Sequence, residues 1–177
     1  MGKSKSMELV MSSTDKSESF LTMLEANKGI IYKIANSYCK LEESKKDLIQ
    51  EIIIQLWSSW PRYDPGYKLS TWMYRIALNV AISFFRREHR RTQISHPLTQ
   101  DILFLQEDRD HITSGPDIEF LHQCIRELRD IDRAIIILYL EEHSHLEIAD
   151  ILGLTSTNVS TRISRIKQHL KQKFSIQ

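Results

Sequence analysis

The chain has 177 residues, enough for one domain or two small ones. Hydrophobic residues make up 41%, which can fill real cores, and the net charge of +1 gives no global sign of a polyanion partner. No run of apolar residues is long enough to span a bilayer, and the two cysteines, Cys39 and Cys124, have no metal-ligand spacing and are expected as buried thiols in a reducing cytosol.

Gly (5) and Pro (4) are scarce, and long stretches keep a 3.6-residue period, so the fold class is all-α. Residues 1–18 are polar and are expected as a disordered tail. Their opening MGKSKS fits the myristoylation pattern, but brings no second membrane signal beyond two lysines and is read as a chance match. From Phe20 a helical pattern runs through Met23, Leu24, Ile31, Ile34, Ala35 and Tyr38, with Gly29 a place where it can break. A second helix is expected from about Ser44 to Ser59, with Leu48, Ile52, Ile53 and Leu56 inward. The loop PRYDPGYK follows. A third helix, with Ser70 as N-cap and Trp72, Ile76, Ala77, Val80 and Phe84 as its apolar stripe, reaches about Arg90.

Residues 92–116 break the pattern and read as a flexible linker, with a short helical turn at 102–105. A second domain, 117–177, opens with Ile118, Leu121, Ile125 and Leu128, then Ile131, Ile135, Leu138 and Tyr139. Asp130 and Asp132 look like caps at the junction, and His143 and His145 like a solvated surface pair. Residues 144–170 then spell a helix-turn-helix. Ser144 and Glu147 have capping-box spacing, Gly153 can take the left-handed turn, and Thr155 suits the next N-cap. Val159, Ile163, Ile166 and Leu170 form the buried stripe of the last helix. Its remaining surface offers Ser160, Thr161, Arg162, Ser164, Arg165 and Lys167, side chains suited to a DNA major groove.

Two faces in the first domain also bear on function. Arg75, Asn79, Ser83, Arg86 and Arg90 step along the third helix by threes and fours, a basic ridge with no acid on it and fit for nucleic acid. Asp47, Gln50, Glu51 and Gln55 line one side of the second helix beside Trp57, which suits a protein-binding face. Aromatics crowd the loop between these helices, and Tyr63 and Tyr67 are its candidates for an exposed role.

DLIQEIIIQLW, a short aromatic loop and LSTWMYRIALNVAISFFRR together resemble region 2 of bacterial sigma factors of the extracytoplasmic-function group. EIADILGLTSTNVSTRISRIKQHL resembles their region 4. The resemblance covers about residues 20–91 and 117–172. It implies a sigma factor that binds core RNA polymerase and directs it to promoters in the cytoplasm, with no cofactor. An anti-sigma factor would be a further partner, if one holds the chain inactive. By position, Asp47, Gln50, Glu51, Gln55 and Trp57 would dock on polymerase. Lys68, Arg75 and Asn79 would open the −10 element, with Arg86, Arg87, Arg90 and Arg91 on nearby backbone. Ser160, Thr161, Ser164 and Arg165 would read −35 base edges, with Arg162 and Lys167 on phosphates. Ser160 and Ser164 depart from the residues many relatives carry, which bears on the −35 sequence preferred.

Reach agrees: about 25 linker residues extend to about 80–90 Å at most, and two DNA turns cover about 70 Å. The alternatives are a dimeric helix-turn-helix regulator that binds duplex alone, and an RNA-binding or scaffold protein. An enzyme is not expected, since there is no phosphate-cradling Gly-rich loop, no paired carboxylate in an apolar setting and no nucleophile with an evident base.

Overall fold

The computed structural model describes residues 3–95 and 116–176, with side chains over 16–91 and 117–175. Among the described residues there are seven α-helices and no strand: α1 (Lys3–Tyr38), α2 (Glu42–Ser59), α3 (Leu69–Ser95), α4 (Pro116–Arg126), α5 (Asp130–Leu140), α6 (His145–Leu152) and α7 (Ser156–Ile176). The linker reading for 96–115, with its helical turn at 102–105, lies outside the described residues.

Three helices make the first domain. Leu48, Ile52 and Leu56 recur every four residues on α2, and all are fully buried against α1 and α3. Glu42 and Glu43 stand in the first turn of α2, where the helix dipole favours negative charge. α1 runs without a break through Gly29, because that glycine faces open space and its backbone stays helical. It also begins at Lys3, so most of the segment expected as a disordered tail is helical: after Gly2 no glycine or proline interrupts the chain until Gly29. α3 starts two residues earlier than expected, since the Trp72 N–H donates to the Lys68 carbonyl (3.1 Å), which places Ser70 inside the first turn rather than at the cap. It also extends past Arg90 to Ser95.

The second domain wraps α4 and α7 around α5, whose Ala134–Leu138 run is entirely buried. The two domains also pack on each other: α3 lies against α5 and α6, and α1 against α4. That second layer explains why the buried part of α3 is wider than one stripe. Met73, Tyr74, Leu78, Ala81 and Ile82 are buried along with Ala77 and Phe84, while Trp72, Ile76 and Val80 are only half-buried.

Candidate nucleic-acid and polymerase interface

The turn between α6 and α7 is fixed by local chemistry. The Glu147 N–H donates to Ser144 Oγ (3.2 Å), and the Ser144 N–H donates back to Glu147 Oε2 (2.9 Å). The N–H and then the hydroxyl of Ser144 stabilise the charged carboxyl and hold Glu147 below the usual carboxylate range. Gly153 has φ +67°, which a side chain would strain. Thr155 Oγ1 accepts from the Asn158 N–H (3.2 Å) and so caps α7. With Val159, Ile163 and Ile166 buried, Ser160, Thr161, Ser164 and Arg165 face outward and are exposed. At about 100° per residue, the same ridge takes in Thr157 and Gln168, both exposed. Counting back four from Thr161 and on four from Ser164 would have found them in the sequence.

Arg162 and Lys167 are anchored within their own domain. Arg162 donates from Nε to Asn158 Oδ1 (2.7 Å) and from an η nitrogen to Asp132 Oδ1 (2.6 Å). Lys167 Nζ donates to the Tyr139 hydroxyl (2.6 Å) and lies 4.2 Å from that ring's centre. Asp132 is therefore an ion-pair partner and not a cap. A cleft beside α7, bordered by Arg129, Asp132, Asn158 and Arg165, continues the surface toward α5.

On α3, Arg75, Asn79, Ser83, Arg86 and Arg90 are all exposed along one edge. The ridge lacks acids in sequence, but the second domain supplies them in space. Arg75 pairs with Asp150 (2.7 Å), Lys68 approaches Glu147 (3.9 Å), and Arg86 pairs with Asp130. The expected caps are corrected: Arg129 holds the N-cap position of α5, and Asp130 and Asp132 lie in its first turn, where they pair with arginines. Arg90 donates to the Arg86 carbonyl (3.2 Å), and Arg91 lies 3.4 Å from Glu88. Tyr67 is exposed, whereas Tyr63 stacks on Trp60 (5.4 Å between ring centres) and donates its hydroxyl proton to the Tyr67 carbonyl.

On α2, Asp47, Gln50 and Gln55 are exposed, and Glu51 is half-buried and pairs with Arg87 of α3 (2.5 Å). Trp57 is 45% exposed and meets the Phe20 ring edge-on. Ile54, 65% exposed, sits in the middle of this strip. An isoleucine within the apolar run EIIIQ gives no hint in sequence that it faces outward. A shallow groove between α2 and α3 runs from Asp47 past Ile54 and Arg87 to Arg91. Of the expected solvated histidine pair, His145 is exposed, but His143 is corrected: its side chain is 7% exposed, edge-on to Tyr74 (5.2 Å), because the two domains close over it.

The family description "Sigma-70 region 2" matches residues 23–91 and "Sigma-70, region 4" matches residues 119–170. The chain belongs to the sigma-70 family. Among curated proteins, it is similar to the extracytoplasmic-function sigma factor SigW of Bacillus subtilis (strain 168), 27% identical over 88% of each chain. It is also similar to sigma factor SigV of that organism, 29% identical over 82% of this chain and 84% of that one. Among solved structures, it shares the fold of the sigma factor RpoE in complex with the anti-sigma factor NepR from Bartonella quintana. The TM-score is 0.69 at 22% identity, over 92% of this chain and 98% of that one. It likewise shares the fold of CnrH in complex with the cytosolic domain of CnrY, with TM-score 0.64 at 19% identity, over 94% and 96% of the two chains.

As a sigma-70 factor of the extracytoplasmic-function group, the protein binds core RNA polymerase and directs promoter-specific initiation. Such factors are initiation factors, not catalysts. Region 2 occupies α1–α3 and region 4 occupies α4–α7. No described helix is long and apolar enough to cross a membrane.

Proposed function

We propose a division of labour within this sigma factor. Residues 19–91 take polymerase and the −10 element, and residues 117–177 take the −35 element. The α2 strip of Asp47, Gln50, Glu51, Gln55 and Trp57 docks on polymerase, with Ile54 as its apolar centre. Lys68, Arg75 and Asn79 engage the −10 strand, and Arg86, Arg87, Arg90 and Arg91 its phosphates. Ser160, Thr161, Ser164 and Arg165 read −35 base edges, while Asp132 and Tyr139 hold Arg162 and Lys167 in position beside the backbone. The observation that carries this reading is the exposure of polar and basic side chains on two separate helix faces, α3 and α7, of otherwise apolar packing. The protein acts in the cytoplasm, and an anti-sigma protein is a further partner. That last inference is supported by the similar solved structure of RpoE, which holds the anti-sigma factor NepR.

Run-off transcription with reconstituted polymerase, followed by start-site sequencing, tests the assignment. Arg165→Ala should weaken initiation at promoters with an intact −35 box by about 1–3 kcal/mol of recognition, roughly tenfold or more. Equal loss on every −35 variant would remove Arg165 from base reading.

A further inference from the structure

We propose that Arg129, which lies outside the helix-turn-helix, is a further DNA-contact residue: from the turn before α5 it takes a backbone phosphate at the edge of the duplex that α7 reads. The inference rests on the −35 reading of α7 given above. Three arginines border the cleft beside α7, and among the described residues one carboxylate, Asp132, stands with them. Arg162 uses that carboxylate, donating to Asp132 Oδ1 (2.6 Å), and gives its Nε proton to Asn158 (2.7 Å). Arg129 and Arg165 are exposed, and neither guanidinium meets a hydrogen-bond or ion-pair partner among the described residues. By contrast, Arg75, Arg86, Arg87 and Arg91 each hold a carboxylate. Two unmatched guanidinium groups on one cleft repel each other, and the fold places no second carboxylate there. A phosphodiester supplies the missing negative charge and accepts from the planar N–H fork of an arginine. The exposed hydroxyls of Thr155 and Thr157 on the same cleft add groups of the kind that position a DNA backbone.

The turn that carries Arg129 is tied down from two sides. Arg129 sits at the N-cap of α5, and its carbonyl accepts from the Arg133 N–H (2.8 Å). Arg133 is 2% exposed and is the one buried charged side chain among the described residues. Two rings of the first domain enclose it: its guanidinium carbon lies 4.6 Å from the Phe85 centroid and 4.9 Å from that of Tyr38. A guanidinium is costly to bury unless its N–H groups are satisfied. Here they donate to carbonyl oxygens of Ser37 (3.3 Å), Leu128 (3.1 Å) and Arg126, and the last two belong to the end of α4 and the turn itself. On the other side, the Asp132–Arg162 pair joins the first turn of α5 to α7, and Arg165 follows Arg162 by one helical turn. Arg129 and Arg165 therefore stand on one frame, and a phosphate caught by the first sets the register in which the second meets the groove. A phosphate contact carries no base information, so Arg129 adds affinity on any sequence and leaves the choice of sequence to α7.

The test uses holoenzyme reconstituted from core polymerase and the full-length chain. The probes are a promoter duplex taken from the start-site sequencing and the same duplex with its −35 box scrambled. Arg129→Ala should bind both duplexes more weakly, with the slope of log affinity against log salt shallower by about 0.9, the share of one phosphate. The parent's advantage over it should therefore shrink about three- to fourfold between about 50 mM and about 200 mM salt. The ratio of affinities for the two duplexes should stay that of the parent. Arg129→Lys keeps the charge and should keep the parent's slope. Lys28→Ala removes an equal charge from α1 and should behave as the parent. Arg165→Ala should instead lower the ratio between the duplexes. Parental affinity and slope in Arg129→Ala, beside lost discrimination in Arg165→Ala, would overturn the phosphate contact and leave the −35 reading standing. Parental discrimination in Arg165→Ala would bring down the α7 reading and this inference with it. Weaker binding by Arg129→Ala with an unchanged slope and no rescue by Lys would make Arg129 a structural residue and overturn the contact. A Lys28→Ala slope as shallow as that of Arg129→Ala would reduce the effect to bulk charge and overturn it as well.

Discussion

At the scale of single residues, the charges of this sigma factor are partnered across long stretches of chain, and that is why they were only half legible. Arg75 finds Asp150 and Arg86 finds Asp130, pairs that no local spacing announces. The exposure of Asn79, Ser83 and Arg165 could be read from helical phase alone, because phase depends on neighbours a turn away. His143 shows the opposite case. Burial, helped by the Lys68 ammonium of the first domain, holds its imidazole below its ordinary pKa, against the carboxylates of Glu147 on α6 and Glu141 in the preceding turn. A depressed histidine favours the closed, folded form above its unfolded pKa of about 6.5, and that contribution is lost as pH falls through the folded value. Urea unfolding at about pH 7.5 and about pH 5.5 should therefore show a larger loss of stability in the parent than in His143→Gln. Identical losses in the two proteins would show that His143 titrates as freely as in an unfolded chain.

At the scale of elements, the helix-turn-helix was the most legible part, since its signals are contained within a few residues. Ser144, Glu147, Gly153 and Thr155 each do the local work their types suggest. Replacing Ser144 by Ala should cost about 1 kcal/mol through the lost cap, and Gly153→Ala a similar amount through its positive φ. Each should lower the Tm of the second domain by roughly 4 °C or more in calorimetry, with the two effects near-additive only if the helix ends act independently. No change in Tm for Ser144→Ala would mean that packing alone fixes the start of α6. The ends of the longer helices were harder to read. Ser70 has an N-cap's composition, yet the Lys68 carbonyl already takes the first helical bond of α3. Gly29 has a breaker's composition, yet nothing about its surroundings asks the chain to turn.

At the scale of the whole molecule, the two-domain plan followed from the interruption of helical periodicity after Arg91, and the packing of the domains on each other did not. The joint sets ion pairs and a caged arginine around apolar residues of α3 that, in sequence, only widen that helix's own stripe, so periodicity cannot separate them from the core of the first domain. It also predicts a salt response. Most of the pairs across it are partly exposed, and the Debye length falls from about 10 Å at 0.1 M to about 3 Å at 1 M salt. Amide hydrogen exchange in α5 and the facing turns of α3 should accelerate between those salt concentrations, while the Leu48–Leu56 core of α2 should not. Uniform protection across that range would leave the joint resting on its uncharged contacts.

α3 has 27 residues in one unbroken helix, about 40 Å long. Two consecutive arginines near its far end hold different parts of the molecule. Arg86 grips Asp130 of region 4, and Arg87 grips Glu51 on the α2 strip. On the docking proposed for the α2 strip, a pull on Glu51 would arrive one peptide bond from the clasp between the domains, with no relay through the core.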